Sequence, residues 1–65
     1  MQITLNGELL VLDNSVNIVQ LLSRLELSGR LAVEVNQQII PRSSFTTYEI
    51  QSDDKIEIVE AIGGG

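Results

Sequence analysis

The stretch that decides the fold is Met1-Gln2-Ile3-Thr4-Leu5-Asn6-Gly7-Glu8-Leu9-Leu10-Val11-Leu12-Asp13-Asn14-Ser15-Val16-Asn17-Ile18-Val19-Gln20-Leu21-Leu22-Ser23-Arg24-Leu25-Glu26-Leu27. Within it the hydrophobic period changes from two to 3.6. Met1, Ile3 and Leu5 alternate with Gln2, Thr4 and Asn6, the pattern of a half-buried strand. Asn6-Gly7 is the strongest short hairpin signal, because both central positions of a type I′ turn need positive φ. Leu9 to Leu12 reads as the return strand. Asp13-Asn14-Ser15 breaks it, since these side chains bond nearby backbone, and Ser15 is placed to cap a helix. From Val16 to about Leu27, Ile18, Leu21, Leu22 and Leu25 fall at i, i+3, i+4 and i+7, and Val19 widens that stripe. The spacing predicts an amphipathic helix, with Gly29 as its left-handed stop.

Outward from this block the strand period resumes. Leu31, Val33 and Val35 share one face, Asn36-Gln37-Gln38 forms a polar turn, and Ile39-Ile40 makes a very short strand ended by Pro41, which cannot donate to a ladder. Residues 42–49 read as irregular or as one helical turn, anchored to the core by Phe45 and Tyr48. After a turn at Gln51-Ser52-Asp53-Asp54, Lys55 to about Glu60 forms the last strand with Ile56 and Ile58 inward. The order β-β-α-β-(short β)-β implies an α+β domain, a mixed sheet of four or five strands with one main helix packed across it. Burying the two apolar faces against each other is the economical two-layer solution. A terminal strand lying between earlier strands would form ladder bonds on both edges, and the C-terminus would leave as an unpaired tail.

Length and composition bound the chemistry. The 65 residues make one small domain, folded over 1–62 with 63–65 as a mobile tail; no repeat, low-complexity linker or second domain is visible. Cys, His and Trp are absent, which excludes disulfides, thiolate or imidazole metal sites and Cys/His nucleophiles. Ile, Leu and Val make up about a third of the chain, enough to fold on apolar packing alone. The net charge is −5, and Arg24, Arg30, Arg42 and Lys55 are scattered. Nucleic acid, which binds through clustered cations, is therefore a poor partner; a partner with a positive face suits better. No apolar run approaches the roughly 20 residues of a membrane span. The N-terminus lacks the basic and apolar regions of a signal peptide, so cytoplasm is the expected location.

Three features are candidates for function. Asp53, Asp54, Glu57 and Glu60 cluster late in the chain, but without the converging oxygens of a hard-cation site they read as a solvated acidic surface. Glu57 and Glu60, at odd separation on a strand, face opposite ways. The isolated Gly7 and Gly29 build no phosphate cradle, so an autonomous enzyme has little to work with. Second, Val59 breaks the alternation after Ile58, Ala61 and Ile62 continue toward the tail, and Leu9 and Val11 lie opposite Leu10 and Leu12. These surplus residues form either an exposed partner surface or a second buried face. Third, the chain ends Gly63-Gly64-Gly65. With glycine near 7% of average usage, three in succession at a given place has a chance of roughly 3 in 10,000. Three side-chain-free residues span roughly 10 Å and can thread a channel that any Cβ would block. The ionised terminal carboxylate can attack the α-phosphate of ATP, and the acyl-adenylate so formed can pass to sulfur or to an amine.

With these residues in view, the chain resembles the ThiS family of sulfur carriers, which have a ubiquitin-like β-grasp fold. The resemblance runs the whole length. It rests on Met1-Gln2-Ile3 with Asn6-Gly7, on Ala32-Val33-Glu34-Val35-Asn36 leading to Ile40-Pro41-Arg42, on Asp54-Lys55-Ile56-Glu57-Ile58-Val59, and on Gly64-Gly65. It implies a protein cosubstrate of thiamine biosynthesis rather than an enzyme, a monomer when free and with no bound cofactor. Gly65 would be adenylated by a ThiF-type adenylyltransferase that uses ATP, then converted to a thiocarboxylate by a sulfur donor system. It would deliver sulfur to thiazole synthase (ThiG). Gly63 and Gly64 would give access to the activating enzyme, and Val59, Glu57, Glu60 and Ile62 would dock the partners. The small subunit of molybdopterin synthase, or a ubiquitin-like modifier without sulfur chemistry, are the alternatives. Two departures stand out. Ser52-Asp53-Asp54 replaces the family's frequent Asp-Gly-Asp, which puts Asp53 where glycine takes positive φ and predicts a looser turn. Gly63 lengthens the usual glycine pair, which favours threading.

Overall fold

The computed structural model describes residues 1–60. Strands β1 (Gln2–Leu5) and β2 (Glu8–Val11) are followed by helix α1 (Ile18–Arg24), strands β3 (Leu31–Val35) and β4 (Gln38–Ile40), a 3₁₀ turn at Arg42–Ser44, and strand β5 (Lys55–Glu60). They form one five-stranded sheet in the order β2-β1-β5-β3-β4. β1 and β5 run parallel, and every other neighbouring pair is antiparallel. The expected element order and mixed sheet are present, and the last strand lies at the sheet's centre. This is the β-grasp arrangement. The residues expected beyond Glu60 in the folded part, Ala61 and Ile62, and the tail Gly63–Gly65 lie outside the described residues.

Turn chemistry sets the hairpin registers. Leu5 pairs with Glu8 across Asn6 (φ 48°) and Gly7 (φ 84°), as a type I′ turn requires. Val35 pairs with Gln38 across Asn36 (φ 52°) and Gln37 (φ 70°), so Gln38 belongs to β4 rather than to the turn. Asp53 takes positive φ (70°), as expected of a residue in a glycine position. Its turn is nonetheless held. The Asp53 N–H donates to Gln2 O (2.7 Å), and buried Asp54 accepts from Gln51 N (2.8 Å) and from Asn36 Nδ2 (2.9 Å). Asn36 Oδ1 in turn accepts from Lys55 N at 2.9 Å. One carboxylate thus ties the turn before β5 to the β3–β4 turn.

The helix is shorter than its hydrophobic stripe at both ends, for local reasons. Asn17, not Ser15, is the N-cap. Its side chain accepts from Gln20 N (2.7 Å) while Gln20 Oε1 accepts from Asn17 N (2.8 Å), a capping box. Ser15 Oγ donates instead to Ile50 O at 3.3 Å. At the other end Glu26 takes the left-handed conformation (φ 58°). Its N–H bonds Ser23 O (3.0 Å) and that of Leu27 bonds Leu22 O (2.9 Å), which together make a Schellman motif. Gly29 (φ 95°) therefore serves the connection to β3 and is not the helix stop.

Ile18, Leu21 and Leu22 of α1 pack on Ile3, Leu12, Val33, Val35, Ile56 and Ile58, with Val16, Phe45 and Ile50 closing the sides. Phe45 is buried and Tyr48 packs against the core, so both aromatics anchor their loop as expected. Ile50 is fully buried without belonging to any periodic segment; its N–H donates to Val16 O at 2.9 Å. Among the described residues no buried side-chain nitrogen or oxygen lacks a hydrogen-bond partner.

Two stability outcomes follow. Glu26→Gly removes a left-handed strain of about 1 kcal/mol while keeping the Schellman bonds, and it raises Tm by roughly 4–8 °C in a thermal melt. Asp54→Ala deprives the Gln51 N–H and the Asn36 amide of their acceptor; denaturant titration shows a loss of about 1–3 kcal/mol.

Candidate functional site

The site is built around β5. Its alternation sends Ile56 and Ile58 into the helix layer and leaves Lys55, Glu57 and Val59 on the open face of the sheet. Glu57 and Val59 are therefore brought together as expected. Glu60 has the opposite parity and sits exposed at the strand's end, paired with Leu31. Ile62 and the three terminal glycines lie outside the described residues. What the described part supplies is the root from which they continue.

That root is paired along its whole length on one side and along part of it on the other. β3 pairs with β5 from Val35↔Ile56 to Leu31↔Glu60. On the other side the parallel ladder with β1 reaches only Leu5↔Ile56, followed by the bond from Asn6 N to Ile56 O (2.8 Å). Beyond it the Asn6 side chain takes over. Its Oδ1 accepts from Ile58 N (2.9 Å) and its Nδ2 donates to Ile58 O (3.3 Å), an amide standing in for a strand residue.

The open face carries apolar residues in two separate groups. Leu9 and Val11, each 70% exposed, stand opposite Thr4 and Gln2 on the β2 edge. Their exposure decides between the two readings of the surplus apolar residues: Leu10 packs on the core, Leu12 is buried in it, and the other pair faces out. Val59, 60% exposed, lies beside Ala32, with exposed Ile39 on the neighbouring edge strand. Lys55, level with Leu9 through Thr4, is four residues before Val59, so Leu9 and Val59 lie about 13 Å apart along the strand direction. Between them runs a polar band of Thr4, Lys55, Glu57 and Glu34. Glu34 stands directly opposite Glu57, a like-charge cross-strand pair that opposes sheet formation. A cationic group from outside would relieve it. Val59 and Ala32 share the half of the sheet that ends at Glu60, and Ile39 is level with Glu57.

Among the described residues no three acidic side chains converge to hold a metal ion, and Asp54 is committed to the turn it organises. No helix is long and apolar enough to cross a membrane. The sequence placed the face of Val59 and Glu57 correctly by parity. It gave no sign of the Glu34–Glu57 pairing, which needs the β3–β5 register, nor of the Asn6–Ile58 contact, whose partners are 52 residues apart.

With this geometry in view the likenesses to known proteins fall into place. The chain is 39% identical over its whole length to part of a thiazole synthase of Paramagnetospirillum magneticum, of which it spans about a fifth (20%). A thiazole synthase of Magnetococcus marinus matches in the same way, at 36% identity and again 20% of its length. The uncharacterised protein ycf40 of Porphyra purpurea is 34% identical over 97% of this chain and 90% of its own. The crystal structure of the thiamine biosynthesis protein ThiS from Geobacter metallireducens superposes with a TM-score of 0.88 at 30% identity, covering 100% of both chains. The model of the ThiS family matches residues 2–65. A β-grasp sheet with its last strand at the centre, matched from end to end, places the chain in the ThiS family of small sulfur carriers.

Proposed function

We propose that the chain carries sulfur as a thiocarboxylate on Gly65 and hands it to a thiazole synthase in thiamine biosynthesis. The observation that carries this reading is the family match, which extends through the terminal glycines to residue 65. The carboxylate of Gly65 attacks the α-phosphorus of ATP; a new O–P bond forms and pyrophosphate leaves. A sulfur nucleophile at the sulfide level then adds to the carbonyl carbon, the bond to AMP breaks, and the thiocarboxylate remains. All of this takes place in partner active sites. The chain binds no cofactor of its own; ATP is used by a ThiF-type adenylyltransferase, and a separate sulfur donor system supplies the sulfur. The free protein is a cytoplasmic monomer.

The described residues support this division of labour. A glycine tail offers only backbone to a channel, so its approach must be set by the domain behind it, and the pairing of β5 with β3 up to Leu31↔Glu60 gives that domain a defined exit. Val59 with Ala32 and Ile39 forms an apolar contact on the open face beside the exit, and the Glu34–Glu57 pair marks it for a basic partner. Exposed Glu60 belongs to the same docking surface, and Ile62 is assigned to it from the sequence alone. This docking surface serves the activating enzyme.

The decisive experiment is mass spectrometry of the tryptic peptide 56–65 after incubation with adenylyltransferase, ATP and sulfur donor. Lys55 is the last cleavage site, and the peptide holds neither Met nor Cys, so replacement of one oxygen by sulfur is unambiguous. A peptide that stays all-oxygen sinks the proposal, and the same peptide branched onto a lysine would identify a modifier instead. Gly64→Leu should lower ATP–pyrophosphate exchange at least about tenfold, equivalent to about 1.4 kcal/mol, through a clash in the channel. Val59→Asp should weaken binding to the activating enzyme about tenfold while leaving Tm within a degree or two, because the side chain is exposed.

A further inference from the structure

On the opposite side of the sheet from Val59, the early end of α1 leaves a groove of about 270 Å³. Its walls are Val19 and Leu22 of the helix, Leu27 of the Schellman turn, Leu31 at the start of β3, and Phe45, with exposed Arg42 among them. The cause is local. α1 has seven residues, and Leu27 folds back to bond Leu22, so helix and 3₁₀ turn do not close over the beginning of β3. Val19 and Leu27 consequently remain 43% and 39% exposed. Arg42 Nη2 donates to Gly29 O (3.1 Å), which fixes a guanidinium beside apolar walls on a chain whose net charge is −5.

Position says what can reach this groove. Leu31, one of its walls, pairs with Glu60, so the groove opens at the end of the sheet from which the chain continues to Gly65. Five further residues reach at most about 17 Å. An enzyme that holds Gly65 in its active site therefore lies against this end of the domain. Two relatives are themselves named thiazole synthase, and in each a sequence like this chain makes up about a fifth (20%) of the protein, which makes the synthase the partner class to consider. We infer that this groove is the docking site for thiazole synthase. It receives one leucine- or phenylalanine-sized side chain of the synthase, flanked by a carboxylate that meets Arg42. The inference rests on the carrier function proposed above and deepens it. The activating enzyme uses the open face around Val59, the synthase uses the helix side, and the two read opposite faces of one sheet.

The test is titration of full-length protein into thiazole synthase by calorimetry, with ATP–pyrophosphate exchange by the activating enzyme as the second readout. Val19→Glu substitutes a better helix former at an exposed position, and Arg42→Gln removes the charge but keeps a donor for Gly29 O. Melting curves establish that each variant is folded. Both should raise the Kd for the synthase about tenfold or more and leave exchange within about twofold of the unsubstituted protein. Val59→Asp should do the reverse. Binding of both groove variants to the synthase with unchanged Kd overturns the inference, as does an equal loss of exchange and synthase binding. If the unsubstituted protein neither binds the synthase nor supports exchange, the carrier function itself falls; binding that ignores the groove variants removes only the groove.

Discussion

The structure depends on one pairing constraint: β5, last in sequence, must enter between β1 and β3, parallel to the first strand and antiparallel to the third. Without it β1–β2 and β3–β4 are two isolated hairpins, each marginal in water. With it, Ile56 and Ile58 complete the core floor beneath α1, and the Asp54 carboxylate and the Asn6 amide become useful contacts. Those two polar groups act at different points of the strand, Asp54 just before it and Asn6 at Ile58. Asp54 fixes where β5 begins, and Asn6 holds it where β1 runs out.

A domain of 65 residues has little stability to spare, yet two of its turns use residues that resist left-handed backbone. Asn6, Asn36 and Asp53 accept positive φ at modest cost, whereas Glu26 and Gln37 are held there by their surroundings. The Glu34–Glu57 pair adds an unfavourable contact on the open face. At Glu26 the strain has a visible return, because the Schellman turn that it allows shapes the groove beside Leu27.

Much of the fold was legible because it is written in local signals. Asn6-Gly7 gave the first hairpin, the stripe Ile18, Leu21, Leu22, Leu25 gave the helix, and alternation gave β3 and β5 with the correct residues inward. What misled was competition between equivalent local candidates. Ser15 and Asn17 are both good caps, and Gln20 three residues beyond Asn17 completes a capping box that Ser15 lacks. Gly29 is the better left-handed residue, yet the bonds from Glu26 N to Ser23 O and from Leu27 N to Leu22 O close the helix at Glu26. Ile50 was missed because it sits in no periodic run and owes its burial to bonds with Val16 and Ser15. Of the site, the outward face of Glu57 and Val59 follows from parity. The groove does not, since its walls come from four separate segments that meet only in the folded chain.

The central place of β5 also bears on synthesis. Residues 55–60 follow every other strand in the chain, yet they occupy the middle of the sheet. A chain terminated before Glu60 has a split sheet and an open core, and is a substrate for proteases rather than a competitor for partners. Folding therefore waits on β5: until residues 55–60 are available, the two hairpins have no common sheet to join, and neither face of that sheet exists.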